Sequence, residues 1–410
     1  MSKTAQLASG IADARPRVIA ALAAQLRDLE LAEDVFADAA EALLASETVP
    51  DRPAAWLFTA AKRKAIDAIR RREAETRAAD ADRLLSDDKE RQMGEIIQLP
   101  DPIPDERLRL MFICCHPAIA LEARVALSLK VICGLPVPEI AKVFLTGEAT
   151  MFQRITRSKR KVAEAGIAFE LPPRRHWGER LDAVLLTLEL AYTIAYQDAA
   201  GTRAEIDDGA LGEEVARLAR MVAELLPQEP EALGLAALVL LAQSRANSRL
   251  DESGAMVPLS QQDVKRWDLA QVSEARGLLD AAAKFGKTGP YQVMAAIQLT
   301  HARHGFDGET DWGAIAQLYD ALLVLRPGPM VALNRAVAIG KADGGAAGLL
   351  ALEAIEAKHL ANVRPYHIAR AELLAETGKI EAAKAALIEA LALDPPSAER
   401  LFLEAKLAAL

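Results

Sequence analysis

At 410 residues, with a formal net charge of −9, the chain is longer than one hydrophobic core usually serves, so two or three domains are expected. It is 51% apolar but only 4% aromatic, and its apolar residues are mostly Ala and Leu, which favour helices over strands and predict an all-α fold. No apolar run is long and charge-free enough to span a bilayer, and the opening MSKTAQLASGIADARPR places no apolar stretch ahead of its charges; a cytoplasmic location without a membrane partner is expected.

Three cysteines, two of them adjacent, make no disulfide framework and fit a reducing compartment. The charge is unevenly spread. Residues 1–170 hold 25 basic and 26 acidic side chains, whereas 171–410 hold 24 and 32. Within the first part, Lys62 to Arg72 carries six basic residues and one Asp, and Arg154 to Lys161 carries five basic residues and no acid. Two basic helices in a neutral host point to phosphate contact, and a solvated helix face is the plain alternative for either one.

In chain order, residues 14–45 read as helices, with Val18, Leu22, Leu26, Leu29 and Leu31 and then Val35, Phe36, Ala39 and Leu43 at helical spacing. The proline-bearing SETVPDRP (46–53) reads as a loop. The next helix, 56–72, is expected to turn Trp56, Ala60, Ile66 and Ile69 to the core. Residues 78–103, with seven acidic and three basic side chains and no periodicity, read as a flexible acidic linker. From 104 to 170 come four helical patterns, and the last two, VPEIAKVF and EATMFQRITRSKRKVAEAG, have the spacing of a helix-turn-helix. Pro138 suits a first helical turn, Ala141 a close crossing, and Ile140, Phe144 and Ile155 the packing face.

From 178 to 410 the pattern is helical throughout. Residues 366–395 match a tetratricopeptide (TPR) unit, with Ala371, Leu374, Gly378, Ala383, Ala390 and Pro395 at its small, large, turn, small, small and proline positions. Weaker relatives lie at 211–241 and 312–340, and a plain helical bundle is the alternative.

On the basic helix after the turn, Thr150, Phe152, Gln153 and Thr156 are candidate readers of base edges, and Arg154, Arg157 and Lys159 candidate phosphate or guanine contacts. Met151 and Ile155 belong to the core. No phosphate-binding glycine loop, HExxH, GxSxG or CxxC occurs, so no catalytic residue, cofactor or metal ligand is assigned. Cys114, Cys115 and His116 point in different directions on a helix and suit packing better than zinc. His176, His301, His304, His359 and His367 read as solvated or capping residues.

Three segments carry a resemblance. DLELAEDVFADAAEALL (28–44), PAAWLFTAAKRKAIDAIRRR (53–72) and ALSLKVICGLPVPEIAKVFLTGEATMFQRITRSKRKV (126–162) resemble the polymerase-binding, minus-ten and minus-35 segments of extracytoplasmic-function (ECF) RNA polymerase sigma factors of the sigma-70 family. CCHP (114–117), LSQQDVKRWD (259–268) and the TPR-like tail are similar to the subgroup with a C-terminal TPR extension. The resemblance implies sigma region 2 over 10–77, sigma region 4 over 104–170 and a TPR-like regulatory extension over 178–410. It implies core RNA polymerase contact through Ala32, Glu33, Asp34 and Asp38, with a solvated helix face as the alternative. It also implies minus-ten contact through Ser46, Asp51, Arg52, Trp56, Lys62, Arg63, Lys64, Arg70 and Arg71, the loop at 46–53 holding a base flipped from the melted strand. Trp56 could be core or a strand-separating wedge, and burial statistics favour core. Ala37 and Arg63 depart from the Gln and Asn of many relatives: Ala37 removes one polar contact from the polymerase-docking helix, and Arg63 adds a phosphate contact beside Lys62 and Lys64.

The expected partners are therefore core polymerase, double-stranded promoter DNA and its melted minus-ten strand, and a protein or peptide bound by the extension. A helix-turn-helix regulator that binds DNA without polymerase ranks second, since it leaves the AED helix and the helix at 56–72 without a role. An enzyme ranks third.

Overall fold

The computed structural model describes residues 3–46, 50–79, 106–164, 172–197, 210–307, 310–355 and 360–410. Their regular structure is helical, with one isolated bridge between Leu250 and Met256. The chain forms two compact units, residues 1–190 and 191–410. The expected linker at 78–103 lies almost wholly outside the described residues.

The first unit opens with α1 (Lys3–Leu26), α2 (Leu29–Leu44) and α3 (Pro53–Ala79), each packed on the other two. Arg27, at φ 53°, ends α1, and the Asp28 carboxylate accepts the Leu31 N–H at 3.0 Å to start α2. Val18, Leu22, Leu29, Val35, Phe36, Leu43 and Leu57 are buried in the resulting core. α4 (Glu106–Cys114), α5 (Leu121–Val131), α6 (Val137–Val143) and α7 (Glu148–Glu164) follow. α5 packs on α4, α6 and α7, while α1 reaches α4 and α5. The division between the units falls within α8 (Gly178–Gln197), whereas the sequence opens its last module at 178. The physical reason is Trp177: it is buried 5.2 Å from the Phe112 ring, donating its indole N–H to the Pro172 carbonyl at 2.7 Å, and so commits the start of α8 to the first unit.

The second unit continues through α9 (Ala210–Leu225), α10 (Pro230–Gln243), α11 (Leu269–Ala283), α12 (Pro290–Asp307), α13 (Trp312–Leu325), α14 (Pro329–Asp343), α15 (Gly345–Glu353), α16 (Arg364–Glu376), α17 (Ile380–Ala392) and α18 (Ser397–Ala409). Each helix packs on the next in sequence. The core accordingly runs as successive clusters: Val293, Ile297 and Ile315; then Leu333, Leu352 and Leu373; then Ala386, Leu387 and Leu403. The three repeat-like segments form the packed pairs α9–α10, α13–α14 and α16–α17. In the last pair, Ala371, Leu374, Ala383, Ala390 and Pro395 are buried, and Gly378 ends α16 at φ 76°.

His367 departs from expectation. It is neither solvated nor a cap: its ring is buried, with Nδ1 2.9 Å from a Glu389 carboxylate oxygen and Nε2 2.9 Å from the Ala361 carbonyl. Its place on the inner side of α16 puts it against α17, which the sequence pattern did not reveal.

Small residues set the helix spacing. A Cβ placed on Gly348 of α15 would lie 2.7 Å from Gly340 Cα and 3.0 Å from the Ala336 carbonyl, both in α14. Gly348→Ala, although it adds helix propensity, should therefore destabilise the protein by about 1–3 kcal/mol through overpacking. Urea unfolding followed by circular dichroism will read this as a lowered midpoint.

Candidate nucleic-acid interface

Pro136 and Pro138 open α6, where a missing N–H costs nothing. α6 closes as Phe144 N–H and Thr146 N–H bond to the Ile140 and Ala141 carbonyls at 3.1 and 3.0 Å, with Leu145 at φ 49° and 95% exposed. After that tight turn α7 begins with Glu148, an acid placed favourably at a helix N-terminus. Its Met151, Ile155, Ser158 and Val162 are buried at helical spacing. α6 packs on α7 with its own Ile140 and Ala141 buried, while Phe144 is half-buried, with the Arg154 guanidinium 5.7 Å from its ring centroid.

The opposite side of α7 carries Thr150, Phe152, Gln153, Thr156 and Arg157, all exposed. Phe152 is 62% exposed, an aromatic ring that folding alone leaves unused. Thr156 donates its hydroxyl to the Phe152 carbonyl at 2.9 Å, within the helix. The other two basic candidates are engaged within the protein. Arg154 pairs with Glu122 of α5 at 3.0 Å, and Lys159 pairs with Glu33 of α2.

On α2 the four acidic-segment positions separate. Ala32 is fully buried and belongs to packing, not to an outward contact. Glu33 is 13% exposed, held by Lys159 and by Arg15 of α1 at 3.4 Å. Asp34 and Asp38 are exposed, the latter 3.9 Å from Lys64. Lys130 of α5 lies among these charges: burial pushes its ammonium below the ordinary value, with Arg15 and Lys159 adding to the effect and Glu33 and Glu139 opposing it.

α3 corrects the expected packing face. Among its described side chains the buried ones are Leu57, Ala61 and Ala65, at i, i+4 and i+8, so Trp56 stands 36% exposed instead of in the core and Ala60 is only half-buried. Ile66 and Ile69 are half-buried at the margin. Lys62, Arg63 and Arg70 are exposed, whereas the Arg71 side chain lies outside the described residues. In the loop ahead of α3, Ser46 is half-buried and Asp51 and Arg52 are exposed, while 47–49 lie outside the described residues. Exposed Trp56, Lys62, Arg63 and Arg70 thus share one helix with an apolar underside.

Among the described residues no group of three His, Cys, Asp or Glu side chains is placed to hold a metal ion. Cys114 and Cys115 are buried, and desolvation raises both thiols, Cys115 to about 12 even though Ser128 lies 3.6 Å away and opposes the shift. His116 accepts the Ala118 N–H at 3.1 Å, and burial, then Arg180 and Arg124, hold it below the ordinary value. Arg124 ties the turn down through the Ile119 and Pro117 carbonyls at 2.5 and 3.0 Å. In the second unit, Gln261, Trp312, Lys341, Glu372, Phe402 and Lys406 line a cavity of about 640 Å³.

Residues 11–75, covering most of α1 to α3, match the family described as Sigma-70 region 2. Residues 180–283 match a family of unknown function, DUF6596. Over nearly its whole length the chain resembles Uncharacterized protein R00370 of Rhizobium meliloti (strain 1021), at 39% identity over 412 residues, 99% of this chain and 96% of that protein. The chain belongs to the same family as that protein. No solved structure matches it, and no helix among the described residues is long and apolar enough to cross a membrane.

The thiols give a direct check. Iodoacetamide at pH 8 should modify the half-buried Cys133 of the native protein and spare Cys114 and Cys115, with all three labelled in concentrated urea, as read by mass spectrometry. A buried thiol with a raised pKa favours the folded state fully below its ordinary value of 9.0, and that contribution is lost as pH rises towards about 12. The thermal midpoint should therefore fall across that window.

Proposed function

We propose that the protein is an ECF-type sigma factor, which binds core RNA polymerase and directs promoter-specific transcription initiation under the control of its C-terminal extension. The observation that carries this reading is the sigma-70 region 2 match over α1–α3, followed in the same unit by a short helix, a tight turn and the basic helix α7. The reading involves no enzymatic step.

In this reading α6 and α7 act as a helix-turn-helix on the minus-35 element. Phe152 and Gln153 meet base edges, Thr150 lies beside them, and Arg157 takes a phosphate. Trp56, exposed at the start of α3, serves as the wedge beside melted minus-ten DNA, backed by Lys62, Arg63 and Arg70. Asp34 and Asp38 face the polymerase. The TPR-like second unit, with its mixed aromatic and charged cavity, takes a protein or peptide partner.

Transcription in vitro with purified core enzyme tests the reading. A promoter-dependent transcript is expected, and absence of core binding would sink the assignment. Arg157→Ala should weaken duplex binding across sequences and lower the salt slope by about one unit, measured by fluorescence anisotropy. Removing 198–410, which leaves α8 whole, should raise transcription if the extension restrains the first unit. Loss of transcription would show that the extension is required instead.

A further inference from the structure

In the first unit, two surfaces with different proposed tasks consume each other. Glu33 projects from α2, the helix read as facing polymerase, and Lys159 from α7, the helix read as facing DNA. Their ion pair leaves the two side chains only 13% and 19% exposed. Arg15 of α1 holds the same carboxylate at 3.4 Å. Lys130 of α5 adds a third cation beside it, so one acid from α2 offsets positive charge contributed by both halves of the unit. α1 rests on α4 and α5, and Pro16 lies so near the turn after α5 that a Cβ on Gly134 would stand 3.2 Å from its ring.

We infer that Glu33 is the latch of an autoinhibited state, holding α7 against α2 so that the DNA-facing and polymerase-facing helices are released together or not at all. The inference rests on the sigma reading for what the two helices meet, but the latch itself rests on the contacts alone. Lys159 cannot hold a phosphate and the Glu33 carboxylate at once. Glu33 at 13% exposure cannot meet a partner surface either. Removing the carboxylate would leave Arg15, Lys130 and Lys159 repelling one another across the seam, which favours opening.

The test uses the full chain. Dyes at Glu30→Cys and Lys161→Cys in a Cys133→Ser background report the α2–α7 separation by energy transfer, the other two thiols being buried. Glu33→Gln should lower transfer and tighten duplex binding about fivefold, the scale of a partly exposed ion pair. Glu41→Gln, which removes the same charge from an exposed site on the same helix, should do neither. Unchanged transfer in Glu33→Gln, or duplex binding no tighter than in Glu41→Gln, would overturn the latch. A latch that opens in Glu33→Gln while core polymerase binds neither form would overturn the sigma reading and leave the latch standing. Added core polymerase should open the unmutated protein as well.

Discussion

Close approach of helices through residues with little or no side chain is the constraint on which this molecule depends. A chain so poor in aromatic residues fills space by bringing backbones together. Ala61 and Ala65 let α3 lie on its neighbours, and Gly340 and Gly348 do the same between α14 and α15. Such cores tolerate little added volume, because a methyl group on Gly348 would meet the Gly340 Cα and the Ala336 carbonyl as well as the Leu373 side chain. The rigid underside they create is what allows α3 and α7 to carry polar and aromatic residues on their other faces without losing their place.

Charge then acts locally. The excess of acid over base describes the chain as a whole, yet the exposed sides of α3 and α7 are basic, and a phosphate backbone responds to the nearest charges within about a Debye length. Three of the basic residues on α7 are already answered by carboxylates of the protein itself, Arg154 by Glu122, Lys159 by Glu33 and Arg160 by Glu164. The surface offered outward is accordingly smaller than the count of cations suggests.

Much of the fold was legible because helix periodicity and turn residues are local signals. The boundaries around α6 and α7, the buried Met151 and Ile155, and the small residues of α16 and α17 all followed from spacing. What escaped depended on neighbours remote in sequence. The α3 face was misread by one residue because Trp56 outweighs Leu57 in bulk, while the stripe that meets α1 and α2 is the one with small residues at every fourth place. His367 looked like a surface histidine because its acceptors, Glu389 and Ala361, lie outside its own helix. Ala32 sat in an acidic run and was assigned its neighbours' role, although its side points inward. The pairing of Glu33 with Lys159 had no sequence signature, since two opposite charges far apart on a chain predict nothing about distance.

The second unit, helix stacked on following helix, would by itself behave as a one-dimensional array in which the ends fray and damage stays near its origin. One backbone bond changes that. The Met256 N–H donates to the Ala398 carbonyl at 3.0 Å, joining the segment after α10 to the first turn of α18. Arg364 of α16 adds a grip on the same helix through Glu399 at 2.8 Å. The array is thus tied near its beginning to its last helix. That tie raises the contact order and ties completion of folding to arrival of the final turns, so synthesis must reach the C-terminus before the unit gains its full cooperativity.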